Sequence, residues 1–356
     1  QSLWVAIILG VMAMLILQLM PFFLHVFGVP ESLQPKASLF LHAIGLGMPA
    51  VTMYAALRGY SEALGHPRPV TVISLLALVV LIPLNMIFMH GLGPIPALGS
   101  AGCGFATSIL QWLMLITLAG YIYKASAYRN TSIFSRFDKI NLTWVKRILQ
   151  LGLPIGLAVF FEVSIFSTGA LVLSPLGEVF IAAHQVAISV TSVLFMIPLS
   201  LAIALTIRVG TYYGEKNWAS MYQVQKIGLS TAIFFALLTM SFIALGREQI
   251  VSVYTQDIEV VPVAMYLLWF AMGYQLMDAL QVSAAGCLRG MQDTQAPMWI
   301  TLMAYWVIAF PIGLYLARYT HWGVAGVWLG LIIGLSIACV LLLSRLYLNT
   351  KRLSKT

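Results

Sequence analysis

Ten long apolar runs, near 3–27, 37–61, 70–90, 101–123, 146–173, 178–206, 219–245, 260–287, 297–317 and 323–346, decide what this chain can become. Each is long enough to cross a hydrocarbon core of about 30 Å as a helix. Within that core the backbone must satisfy its own hydrogen bonds, which leaves helices and closed barrels. Barrel strands alternate polar and apolar residues over short segments, a pattern absent from this sequence. The chain is 61% hydrophobic and 8% charged, against about a quarter charged in soluble domains. The expected fold class is therefore an all-α polytopic membrane protein.

Lys and Arg predict how the helices thread. Fifteen basic residues follow the even-numbered runs, among them Arg68, Arg136, Lys139, Arg208 and Lys355, and three (Lys36, Arg247 and Arg318) lie on the other side, with Lys226 inside a run. Positive charge gathers on the cytoplasmic face of membrane proteins, so both ends of this chain are expected to be cytoplasmic. The net charge of +8 thus reflects topology and anionic lipid, and no nucleic-acid partner is expected. Gly and Pro mark the connections, at Gly28-Val-Pro30, His66-Pro-Arg-Pro69, Gly91–Pro96 and Ser174–Gly177. Pro49, Pro83, Pro154, Pro198 and Pro311 fall in or beside spans, as moving segments or as plain kinks.

Landmarks recur at a nearly constant interval. Pro35 and Ala37 match Pro262 and Ala264 at 227 residues, Pro69 and Pro83 match Pro297 and Pro311 at 228, and Gly99-Ser-Ala-Gly102 matches Gly323-Val-Ala-Gly326 at 224. Equivalent elements fall on the same side, which means parallel repeats about an axis along the membrane normal. The expected organisation is a four-helix N-terminal lobe remnant at 1–123, a cytoplasmic linker at 124–141, a six-helix C-terminal lobe at 142–348 and a tail at 349–356. The first lobe then lacks the counterparts of two helices, about 85–100 residues at the usual span length, so ten helices are seen of an expected twelve. The opening on Gln1 agrees with that expectation.

Of eleven acids, only Glu162 and Asp278 lie deep in apolar runs. A charge there costs roughly 2.5–3.5 kcal/mol on insertion scales, and such residues mark pathways or pair with one another. Tyr274, Gln275 and Gln281 stand at i−4, i−3 and i+3 of Asp278 and share its face. Glu162 has only Ala158, Val159, Ile165 and Phe166 at those spacings, so a proton, a cation or another helix must neutralise it. The next helix offers Gln185, Ser189 and Ser192, with Phe195 close by. Desolvation favours a protonated carboxyl and a bound cation favours the carboxylate, so one pocket exchanging proton, sodium or organic cation is the simplest basis for antiport. The alternative is a pair of protonated carboxyls making structural hydrogen bonds between helices. Asp257 reads either as a solvated loop acid or as a cation holder at the outer mouth. Arg58 and Glu62 are expected to form an interfacial ion pair, and Arg208 and Arg289 to snorkel. Cys103, Cys287 and Cys339 read as small buried hydrophobes, and the scattered histidines give no zinc spacing.

The chain resembles the multidrug and toxic-compound extrusion (MATE) family, NorM branch. The likeness is carried by Gly152-Leu-Pro-Ile-Gly156 with Phe161-Glu162, Met196-Ile-Pro-Leu-Ser200, Tyr274-Gln-Leu-Met-Asp278, Leu288-Arg-Gly-Met-Gln-Asp-Thr294, and Pro83-Leu-Asn85 with Gly99-Ser-Ala-Gly-Cys103. It implies two six-helix lobes forming a V around a central cavity. It also implies a non-enzymatic, cation-coupled multidrug antiporter of the bacterial inner membrane, acting as a monomer without cofactor. Amphipathic cationic drugs, dyes and antibiotics would leave in exchange for Na+ or H+. Glu162 and Asp278 would then hold the coupling cation with Tyr274 and Gln185 beside them, while Asp257, Phe195 and Gln281 would contact substrate. Phe195 stands where some relatives carry tyrosine, leaving cation–π attraction but no hydroxyl. Leu81 replaces a frequent asparagine, weakening a polar site in the first lobe. A lipid-linked precursor flippase of the same superfamily is the second expectation, although it would favour a cationic cavity. An intramembrane aspartyl protease would need Gly-x-Gly-Asp, and Gln-Leu-Met precedes Asp278.

Overall fold

A computed structural model describes residues 1–24, 31–91, 96–129, 133 and 138–353. The turn expected at Gly28-Val-Pro30, the interior of Gly91–Pro96, and Arg136 and Lys355 of the charge pattern lie outside the described residues, as does most of 130–137 in the expected linker. The described residues contain helices and no strand. Ten of their segments are long and apolar enough to cross a membrane.

Twelve α-helices build those ten spans, because two spans are broken. In chain order they are α1 (Ser2–Leu19), α2 (Gln34–Gly45), α3 (Met48–Ala63), α4 (Arg68–His90), α5 (Ser100–Lys124), α6 (Leu142–Leu173), α7 (Glu178–Gly214), α8 (Trp218–Tyr254), α9 (Val260–Gly290), α10 (Gln295–Leu302), α11 (Phe310–Tyr319) and α12 (Val324–Leu353). The second span breaks between α2 and α3 just before Pro49, which opens α3 where its missing N–H costs nothing. The ninth span passes from α10 to α11 through a π-helix, Met303–Ala309. Pro311 cannot donate to the carbonyl one turn back and would clash with it. The wider π turns relieve that conflict, and the Phe310 N–H bonds to the Tyr305 carbonyl five residues earlier. Pro83, its expected repeat partner, lies inside the continuous helix α4.

The chain divides into two compact units, Gln1–Ile148 and Leu149–Thr356. In the first, hydroxyls bridge helices where backbones come close. Thr52 Oγ1 donates to the Ala6 carbonyl at 2.7 Å, and Ser108 Oγ to the Ala43 carbonyl at 2.6 Å. The Arg58–Glu62 ion pair forms at 2.7 Å within α3.

In the second unit α9 is the hub, packed most extensively on α7 and then on α12 and α8. Small residues permit this, as lipid tails supply no hydrophobic drive between helices. A Cβ on Gly286 would stand 2.5 Å from the Ala202 carbonyl, and one on Gly290 would stand 2.7 Å from that of Thr206. Thr206 Oγ1 also donates to the Gly286 carbonyl at 2.9 Å. On α12, Gly326, Gly330 and Gly334 form a second stripe against α11 and the π segment. The repeated glycine pairs behave alike. Gly99 and Gly323 both take positive φ (56° and 50°) before their helices begin, while Gly102 and Gly326 both press on neighbouring backbone.

Gly330→Val should therefore destabilise the protein by about 1–3 kcal/mol through overpacking. A lowered thermal midpoint in detergent would register it. Gly120→Ala, facing open space, should leave the midpoint unchanged or slightly raised.

Candidate coupling and substrate site

Helices α6, α7 and α9 enclose a cavity of about 690 Å³ within the second unit. Its wall is mostly apolar, with Phe166, Phe195 and Met196 among the larger side chains. The polar groups on it are Glu162, Ser167, His184, Gln185, Thr191, Ser192, Tyr274 and Arg289. Sites of 300–1,000 Å³ with an apolar lining and a few convergent polar groups are what drug-sized ligands occupy.

Glu162 sits in the middle of α6, and its Oε1 is buried without a hydrogen-bond partner among the described residues. One turn on, the Phe166 ring meets Tyr274 edge to face at 5.9 Å. Tyr274 continues edge-on to Trp328 at 6.3 Å, and Trp328 to His184 at 5.9 Å. This aromatic partition separates the cavity from the core behind it.

Asp278 lies behind the partition, fully buried, with the Tyr274 hydroxyl as its near donor and no well-formed hydrogen bond to either carboxyl oxygen among the described residues. It is within electrostatic reach of Glu162, and Tyr274 interacts with both acids. Tyr305, brought in by the π-helix, feels both carboxyls as well, and its buried hydroxyl has no partner among the described residues. Buried unpaired polar groups cost about 1–3 kcal/mol each, and more when charged. A cluster of such oxygens is what a cation or shared proton would satisfy. The donor set consists of oxygens, the ligand type that hard cations prefer.

The expected residues divide by place. Glu162, Tyr274, Gln185 and Phe195 share the cavity wall, and Asp278 stands just behind it. Gln281 is buried but is not part of that wall, and its Oε1 lacks a partner among the described residues. Asp257 is exposed in the turn before α9. Its Oδ1 accepts from the Glu259 N–H at 2.9 Å and its own N–H donates to Thr255 Oγ1 at 3.1 Å, a local turn contact. Ser189 donates to the Gln185 carbonyl of its own helix at 2.8 Å.

Arg289 corrects an expectation. Instead of snorkelling away, it lines the cavity and interacts with Glu162. Helical phase held that signal, because 274, 282 and 289 fall within about 80° on a 100°-per-residue wheel. Tyr305 left no such signal, because a π segment breaks the period on which a wheel depends.

The MatE family model matches residues 1–87 and 154–315. The chain is 76% identical over 355 residues to the "Probable multidrug resistance protein NorM" of Acinetobacter baylyi, covering 100% of this chain and 79% of that protein. It is 39% identical over 353 residues to the "Multidrug resistance protein NorM" of Vibrio cholerae, covering 98% and 77%. Among solved structures, the eukaryotic MATE transporter AtDTX14 superposes with a TM-score of 0.89 at 19% identity, over 99% of this chain and 78% of that one. An outward-facing multidrug resistance MATE transporter gives 0.84 at 21% identity, over 100% and 78%. This multi-pass membrane chain belongs to the MATE family of transporters, in its NorM branch.

Proposed function

We propose that the chain works as a cation-coupled multidrug antiporter, exporting amphipathic organic cations, dyes and antibiotics across the bacterial inner membrane in exchange for Na+ or H+. The observation that carries this is a pair of acids close enough to interact and short of hydrogen bonds, the fully buried Asp278 and Glu162, which opens onto the 690 Å³ cavity. The names of the relatives, multidrug resistance proteins, support the same substrate class.

The exchange follows from what can neutralise the two acids. A cation or proton held between Glu162, Asp278, Tyr274 and Tyr305 leaves the cavity wall without net charge. An aromatic drug cation in the cavity would meet the faces of Phe166 and Phe195 and compete for the Glu162 carboxylate. Arg289 limits how much positive charge Glu162 accepts at once. Two ligands that need the same carboxylate disfavour each other, and that negative coupling is reciprocal. Gln185 and Ser192 add hydrogen-bonding groups on the α7 side. In this reading 124–141 is a cytoplasmic linker between lobes at 1–123 and 142–348, with both ends of the chain in the cytoplasm.

Ethidium efflux from drug-sensitive cells tests the proposal. Glu162→Gln and Asp278→Asn should each lower efflux at least tenfold, the scale of about 1.4 kcal/mol, with normal amounts of protein in the membrane. Unimpaired efflux in both variants would overturn the assignment. Replacing external Na+ by choline, and separately adding a protonophore, identifies the coupling ion by whichever treatment stops efflux. Tyr305→Phe should raise the concentration of that ion giving half-maximal efflux by roughly three- to tenfold, as expected for one lost oxygen ligand.

A further inference from the structure

A second cavity, of about 1140 Å³, lies at the end of the second unit where α7 turns into α8 and α12 finishes. It is independent of the Glu162 cavity, and the two share no wall residue. Helices α8 and α12 both pack on α9 but touch each other only slightly. The groove between them is this cavity.

Its chemistry is graded. Lys216, Lys226 and Lys351 line it against one carboxylate, Glu215. The first turn of α8, at Trp218 and Ala219, adds the positive end of a 37-residue helix. Trp218, Tyr222 and Tyr347 form an aromatic belt of the kind found at headgroup level. Leu229, Leu343 and Leu346 then continue the wall into the apolar part of the span. At the floor, buried Gln225 accepts from Thr350 Oγ1 at 2.9 Å, while its amide nitrogen reaches only the Met291 sulfur at 3.5 Å. The end of α12 is held in place by Arg345 and Asn349, which donate to Asp293 at 2.8 and 2.7 Å.

Lys226 is the informative residue. It lies eight positions into α8, about 12 Å along the helix at 1.5 Å per residue. A lysine at that depth on an exposed face reaches back toward the interface and is costly without a counter-charge. Lys216 holds its place in the turn at φ 54°, a conformation uncommon outside glycine. Three lysines disfavour an organic cation, so this is no second site for such drugs. A soluble anion would satisfy the lysines but gain nothing from the leucines below them.

We propose that this groove binds an anionic phospholipid. The phosphate sits between Lys226, Lys216 and Lys351 near the start of α8, and an acyl chain lies along Leu229, Leu343 and Leu346. The lipid thereby fills the gap between α8 and α12.

Trp218 provides the readout. The detergent-purified protein is titrated with phosphatidylglycerol brominated on its acyl chains, and in parallel with equally brominated phosphatidylcholine. The Trp218→Phe protein isolates the signal of that indole. Phosphatidylglycerol should half-quench Trp218 at about a fivefold lower mole fraction than phosphatidylcholine. Lys226→Gln should raise the half-quenching fraction about fivefold, the equivalent of about 1 kcal/mol per lysine, whereas Lys226→Arg should keep it. Lys216→Gln/Lys226→Gln/Lys351→Gln should abolish the preference, and millimolar inorganic phosphate should not compete. Equal quenching by the two lipids would overturn the proposal, as would an undiminished preference in Lys226→Gln or displacement by free phosphate. If the triple variant does not fold, Lys226→Gln against Lys226→Arg decides alone.

Discussion

Two carboxyls poor in hydrogen-bond donors, Glu162 and Asp278, impose the constraint on which the second unit is built. Lipid offers no water to relieve them, so the helices around them must supply a cavity, polar groups or a bound ion. Helix α9 supplies most of it. One of its faces carries Tyr274 and Asp278 toward α6, and its far end brings Arg289 to the same cavity. Other positions of α9, Gly286 and Gly290, are stripped of side chain so that α7 can lie against its backbone. Polar groups and close packing therefore share one helix at different angles. That explains why so little of α9 could be either larger or more polar.

Much of the fold was legible because membrane helices obey a simple length rule. The ten spans, the deep acids and the glycine pairs at 99/102 and 323/326 all follow from apolar run length and spacing. The two broken spans were less visible. Pro49 and Pro311 stand out in the sequence as irregularities, but a proline alone does not distinguish a kink from a new helix start or a π segment. At Pro311 the π segment packs its Ala304 and Ala309 against Gly334 of α12, a contact that forms only after folding.

The site divides along the same line. Residues whose position depends on their own helix, such as Glu162, Tyr274 and Asp278, could be placed from spacing. Gln185 and Phe195 were reachable as the polar and aromatic face of the neighbouring helix. Residues placed by tertiary contact were not reachable, and Tyr305 and the Trp328–His184 pair are the examples. Gln281 shows the converse. Spacing puts it on the Asp278 face, and the packing of α9 buries it off the cavity wall.

The π segment also has a geometric effect beyond Tyr305. Each turn at Met303–Ala309 takes up more residues than an α turn, so α11 emerges rotated in phase relative to α10. Side chains that a uniform helix would aim in one direction along the ninth span are therefore aimed in two. The half before the bulge and the half after it can face different neighbours, and a single continuous stretch of chain acts as two differently oriented surfaces.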